Sequence, residues 1–360
     1  MKTNRRQFLG TMALSPLFFG TAASIFSGAR ASENADAQTA EALHPSLPFR
    51  DGHFKILQLT DLHLHFTDEE GKGKAASTLE VIRKLLDAEK PDLTILTGDL
   101  ISVDPTGLTG GVAEAWKKLA EPFEETRTPF AVTFGNHDHE RKESAAEQMT
   151  MIRTSPLSVN RLGDAALPGS GNDWVALTCA DGKERWRLWL FDSHSYPARP
   201  NLSNYDWIKS EQIRWYREAA QAAAQEGAVI PALAFFHIPL PEYWRVHHAE
   251  GTQGTAQEDV CAPELNSGLF TAFVEEQDVR GVFVGHDHVN DYIGVHKGTA
   301  LAYGRKTGFD SYGELPRGGL LIELTEGGVG FQTCLVTPEG RTGDYLFPPP
   351  EPTEAKPSDQ

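Results

Sequence analysis

Aspartate, asparagine and histidine recur in five short blocks: Asp61-Leu62-His63, Gly98-Asp99, Gly135-Asn136-His137-Asp138, His237-Ile238-Pro239 and Gly285-His286-Asp287-His288. Each block closes an apolar run, so each sets polar side chains where a buried strand would end. Carboxylate, amide and imidazole donors together suit Mn, Fe, Zn or Ni rather than Ca or an iron–sulfur cluster. Along extended chain, residues i and i+2 face the same way, so Asp61 with His63, and His286 with His288, can address one point. Gly98, Gly135 and Gly285 each precede a candidate ligand, where a tight turn would strain a larger residue. A lone histidine is more often a core or surface group than a ligand. Five blocks, each ending an apolar run, point instead to a shared metal site.

The elements that must position these blocks can be read from the apolar pattern. Runs at 54–60, 93–97, 130–134, 186–191, 232–236 and 282–284 predict buried strands. Helical patterns occupy 75–89, 112–126 and 206–226, ended by Pro91, Pro129 and Gly227. A further helix is expected over 140–150, which Asp138 would cap unless it orients a neighbour of the site. Strand, helix, strand implies parallel pairing. After Val289 the strands 292–295, 300–303, 319–324 and 328–336 follow one another without long helices, which predicts an antiparallel portion. An α/β fold of two mixed sheets flanked by helices accommodates both halves, with ligands beyond the carboxyl ends of the strands.

With 360 residues, 40% hydrophobic and 23% charged, and no internal repeat, the chain reads as one globular α/β body rather than a solenoid or a multi-spanning membrane protein. The formal charge of −17, without a basic stripe, excludes a dedicated nucleic-acid-binding role. Residues 1–31 hold Lys2, Arg5, Arg6 and Arg30 and no acid. Asn4-Arg5-Arg6-Gln7-Phe8-Leu9, a weakly apolar stretch and Ala29-Arg30-Ala31 look like a cleavable twin-arginine signal. Export through the twin-arginine machinery to a periplasmic or other extracytoplasmic location is therefore expected, with no stable membrane association after cleavage. Residues 32–52 read as a linker, 53–337 as the functional domain and 338–360 as a Pro-rich disordered tail. The cysteines, Cys179, Cys261 and Cys334, lack metal-ligand spacing and allow at most one disulfide or none.

The blocks D-x-H, G-D, G-N-H-D, H and G-H-x-H resemble the calcineurin-like metallophosphoesterases over roughly residues 53–337. The resemblance implies a four-layer αββα sandwich. It also implies two metal ions, one held by Asp61, His63, Asp99 and His288 and the other by Asp99, Asn136, His237 and His286. Ions about 3.5–4 Å apart on a shared carboxylate clamp attacking and leaving oxygens in line and generate hydroxide near neutral pH. His137, next to a ligand, would then stabilise the phosphoryl group or protonate the leaving oxygen.

Segments 237–243, 266–270 and 303–308 are similar to a branch related to the purple acid phosphatases. His63 stands where a tyrosine ligand would give the purple colour, so that colour is not expected. Ser102 and Val103 replace the Asp-Arg pair of the protein serine/threonine phosphatases, which removes the acid that would partner His137 and argues against phosphoprotein substrates.

The expected function is an exported dinuclear-metal hydrolase of small phosphomonoesters. Phosphodiesterase or nucleotidase activity on the same ligands is the nearest alternative, and a non-catalytic exported metal-binding protein is the reading from another class. His65, His194, His247 and His248 are expected as rim residues. Arg305 is expected on the surface or at a substrate phosphate, and Tyr205-Asp206-Trp207-Ile208 with Trp215-Tyr216 as packing aromatics.

Overall fold

The computed structural model describes residues 44–66, 74–102, 108–225, 227 and 229–350. The signal expected at 1–31 lies outside the described residues. Among them, no helix is long and apolar enough to cross a membrane.

Two sheets stack face to face. The first contains β2 (His53–Leu59), β3 (Leu93–Thr97) and β4 (Phe130–Thr133), parallel to one another, extended by antiparallel β11 (Gly319–Thr325), β12 (Phe331–Thr337) and β13 (Gly340–Phe347) in the order β13-β12-β11-β2-β3-β4. The second has the order β1-β5-β6-β7-β8-β10-β9. It comprises β1 (Ser46–Pro48), β5 (Asp173–Thr178), β6 (Glu184–Leu190), β7 (Ala232–Phe235), β8 (Val279–Val284), β9 (Ile293–His296) and β10 (Thr299–Tyr303). Here β6, β7, β8 and β10 run parallel, while β9 returns antiparallel on β10.

Alternation along the strands explains the layers. Ile56, Leu93 and Ile95 of the first sheet meet Leu188, Leu233, Phe235 and Phe283 of the second in a core between the sheets. The opposite residues, Leu57, Leu59, Leu96 and Val132, face the helices α1 (Lys74–Glu89), α2 (Gly111–Thr126) and α4 (Ala145–Ile152). On the far side, Trp189, Ala234, Val282 and Leu301 face α5 (Ser210–Gln225) and α6 (Leu269–Glu276). The helix α1 buries Leu79, Ile82, Leu85, Leu86 and Glu89, a helical stripe that ends at Lys90, with φ 47°, and Pro91. This is the expected four-layer αββα sandwich.

The domain is wider than its predicted 53–337. Pro45, within the predicted linker, accepts a hydrogen bond from Ala176, and β1 lies parallel to β5, so ordered pairing begins before residue 52. At the other end β13 completes the edge of the first sheet, so the segment up to Phe347 is not a disordered tail. The helix predicted over 140–150 starts five residues late, as α4 (Ala145–Ile152), its start fixed by a capping box between Ser144 and Glu147, while a short α3 (Asn136–His139) stands before it. Asp138 does not cap α4. All three cysteines are free.

Candidate metal centre

The carboxyl ends of β2, β3 and β4 meet those of β7 and β8 at one place, and all five blocks leave the strands there. Backbone bonds zip the first two loops together: Asp61 N donates to Gly98 O at 3.1 Å, His63 N to Asp99 O at 2.8 Å and Leu64 N to Leu100 O at 2.9 Å. A bond between the sheets follows, with His286 N 3.1 Å from Asp61 Oδ2, while Gly285 N reaches His237 O at 3.1 Å. Asp138, fully buried, accepts from Leu100 N at 3.0 Å and Gly135 N at 2.9 Å, which fixes the third loop against the second. It is a loop lock, the orienting alternative of the sequence reading.

The conformational cost of this convergence falls on the candidate ligands. Asp61, His63, Asp99 and His286 have φ of 52°, 45°, 53° and 81°, a region that non-glycine residues enter rarely and at a cost. Of the three preceding glycines only Gly98 has a positive φ, 87°. Gly135 and Gly285 serve close approach instead, since a Cβ there would stand 2.3 Å from Asp99 Oδ1 and 1.9 Å from Thr60 Oγ1.

Two groups of donors result. Asp61, His63, Asp99 and His288 converge at one point, and Asp99, His237 and His286 at a second, each with its donor atoms within 4.8 Å of one another. Asp99 belongs to both. In the first group His288 Nε2 is 3.2 Å from Asp61 Oδ1, and His63 Nε2 is 3.6 Å from Asp99 Oδ2. In the second, His237 Nε2 is 3.2 Å from Asp99 Oδ2 without hydrogen-bond alignment, and His286 Nε2 and Asn136 Oδ1 are likewise buried with no hydrogen-bond partner. Asn136 thus leaves a buried amide oxygen free for a ligand, on the loop whose next residue anchors Asp99. Such orphans are costly unless something fills the space between them.

The imidazoles are set as metal ligands require. His237 Nδ1 lies 2.7 Å from Thr97 O and His288 Nδ1 lies 3.3 Å from Tyr312 O, so each ring donates from Nδ1 and leaves Nε2 for the centre. Burial lowers His63 to about 4 and His286 to about 3, which keeps both neutral. Burial alone would raise Asp61 and Asp99, but the facing His288 and His237 respectively overcome it and hold both carboxyls below their usual range. Burial would also lower His237, yet Asp99 and then Asp61 raise it to about 10. The donor set therefore fits two metal ions.

Residues 54–290 match the family model described as calcineurin-like phosphoesterase. The chain belongs to that family. A relative 32% identical, the probable inactive purple acid phosphatase 29 of Arabidopsis thaliana, aligns over 73% of this phosphoesterase and 74% of its own length. Phosphatase DCR2 of Saccharomyces cerevisiae is 31% identical over 67% of this chain and 45% of its own. Among solved structures, a dimetal phosphatase from Danio rerio shares the fold with a TM-score of 0.54 at 12% identity, covering 81% of this chain and 98% of that one.

Beside the two donor groups the phosphoesterase carries His137, whose backbone N donates to Asp99 Oδ1 at 2.9 Å and whose ring meets that of His63 edge-on at 5.4 Å. Burial lowers its pKa, but Asp99 and Glu140 outweigh it, for a net rise. The acid missing at Ser102 is matched from another direction: Glu140 Oε2 lies 2.9 Å from His137 Nδ1.

Sequence reasoning also missed an aromatic rim. Tyr312, half exposed, stacks on His288 at 4.2 Å; Tyr205 packs edge-on to His286 at 4.5 Å and stacks with Tyr196 at 5.7 Å. Tyr205 is thus a site residue, whereas Trp215 and Tyr216 pack on the α5 side as expected. Arg305 is neither exposed nor at the centre: it is buried in an ion pair with Asp291. His194 Nε2 bonds the Gln212 side chain and His247 Nε2 the Glu258 carbonyl, and neither ring is among the two donor groups.

Proposed function

We propose that this phosphoesterase is an exported, two-metal hydrolase of small phosphomonoesters. The observation that carries the reading is the pair of donor groups sharing Asp99, with His237 Nε2, His286 Nε2 and Asn136 Oδ1 buried and unpartnered between the sheets. Asp61, His63, Asp99 and His288 would hold one ion, and Asp99, Asn136, His237 and His286 the other. Mn, Fe, Zn and Ni suit these donors. When bound, two such ions supply an activated water and neutralise the charge that builds on the phosphoryl oxygens.

The chain's own groups do the rest. Asp99, anchored by the His137 backbone, sets the spacing of the two groups. Thr97 O and Tyr312 O hold His237 and His288 in the tautomer that presents Nε2. His137, its backbone on Asp99 and its Nδ1 on Glu140, is placed to give a proton to the leaving oxygen.

The yeast relative's name, a phosphatase, supports the monoester reading. The Arabidopsis relative is named as probably inactive. In this chain the donor set and His137 are all present, which favours turnover over a binding-only role. The paired arginines Arg5 and Arg6, the apolar stretch after them and Ala29-Arg30-Ala31 support export by the twin-arginine route, which carries folded, metal-loaded chains. The acidic body supports a small anionic substrate drawn to the cations rather than a nucleic acid.

The test is turnover by the mature chain reconstituted with each of the four metals, on a matched monoester and diester. Faster monoester hydrolysis that a chelator abolishes is expected. Preference for the diester would move the assignment to phosphodiesterase, and no turnover with full metal occupancy would favour the non-catalytic reading.

A further inference from the structure

An imidazole that protonates a leaving oxygen must keep one nitrogen aimed at the breaking bond. A partly exposed ring can turn about its side-chain torsions and exchange tautomers unless its other nitrogen is held. The His137 side chain is 36% exposed, so packing does not lock it. Among the described residues its ring bonds the Glu140 carboxylate, at 2.9 Å from Nδ1. Three residues on, beyond the end of α3, Glu140 stands on the same helical face. Tyr196 stands near by, its hydroxyl 3.4 Å from Asn136 Nδ2.

We propose that Glu140 is the positioning residue for His137, accepting its Nδ1–H so that Nε2 faces the leaving group. The proposal rests on the monoesterase reading above. In the step, a water that has released one proton to solvent bonds through oxygen to phosphorus. The bond from phosphorus to the ester oxygen breaks, and its electron pair stays on that oxygen. The oxygen takes the Nε2 proton and departs as alcohol. The neutral ring keeps its Nδ1–H on Glu140, and Nε2 regains a proton from solvent. Because Glu140 touches neither substrate nor donor atoms, its effect should follow how badly the leaving oxygen needs a proton.

The experiment compares the metal-loaded native chain with Glu140→Ala and Glu140→Gln on an alkyl phosphate and on 2,4-dinitrophenyl phosphate, whose leaving group needs no proton. Metal content is measured in each. Glu140→Ala is expected to lower kcat on the alkyl ester about tenfold to a hundredfold, with less than about a threefold change on the dinitrophenyl ester and unchanged metal content. Glu140→Gln, whose amide oxygen still accepts Nδ1–H, is expected to recover most of the alkyl activity. Equal slowing on both esters, metal loss, or a Glu140→Gln variant as slow as Glu140→Ala would overturn the assignment. A native chain inactive on both esters would instead overturn the monoesterase reading, and this inference with it.

Discussion

The two ends of β8 both bury an aspartate-centred polar cluster, and the clusters are opposites. Before the strand, Asp278 sits among apolar residues with both oxygens satisfied, one by Trp189 Nε1 at 3.0 Å and the other by the Tyr216 hydroxyl. After it, on the order of 20 Å away at about 3.3 Å per residue, His286 and His288 join Asp61, Asp99 and His237, with two imidazole nitrogens and an amide oxygen left without partners. A closed buried network adds rigidity; an open one is costly and persists where something else completes it. The contrast marks the carboxyl end as the functional one.

The largest effect should come from breaking the shared ligand. Asp99→Asn is expected to abolish both metal occupancy, read by elemental analysis, and turnover, whereas retained metals would show that the two donor groups do not depend on a bridging carboxylate. His137→Ala is expected to keep both metals and lower kcat on an alkyl monoester by about a hundredfold to ten-thousandfold; an unchanged rate removes it from the proton transfer. Tyr216→Phe should act only at the closed end. It leaves an oxygen of buried Asp278 without its donor, so denaturant melts should show a loss of about 1–3 kcal/mol with kcat unchanged. A matching loss of activity would mean that the two ends of β8 are not separable.

The parts legible in the sequence are those where side chains carry the signal. The apolar runs of β2, β3, β4, β6, β7 and β8 stop where polar ligands begin, because both faces of these strands are buried and the change of solvent is abrupt. Strand β13 is mostly exposed and joins the sheet by backbone bonds, which leave no mark on residue type. The same holds for β1, three residues long and ending in Pro48. The helix α6 spans eight residues, too short for its period to stand out from an apolar strand. Residues named inside a block were found, while Glu140, Tyr196, Tyr205 and Tyr312 reach the centre from loops whose course depends on the whole fold. The strain also lies where no residue type signals it, on the ligands' own backbone rather than on most of the glycines beside them.

Neither donor group belongs to one sheet. Asp61, His63, Asp99 and Asn136 leave the six-stranded sheet, and His237, His286 and His288 leave the seven-stranded one, so each group draws on both. Half the molecule made alone would carry an incomplete set and no chemistry. Turnover at this centre would therefore be a readout of assembly, since neither donor group is complete before the two sheets have closed on each other.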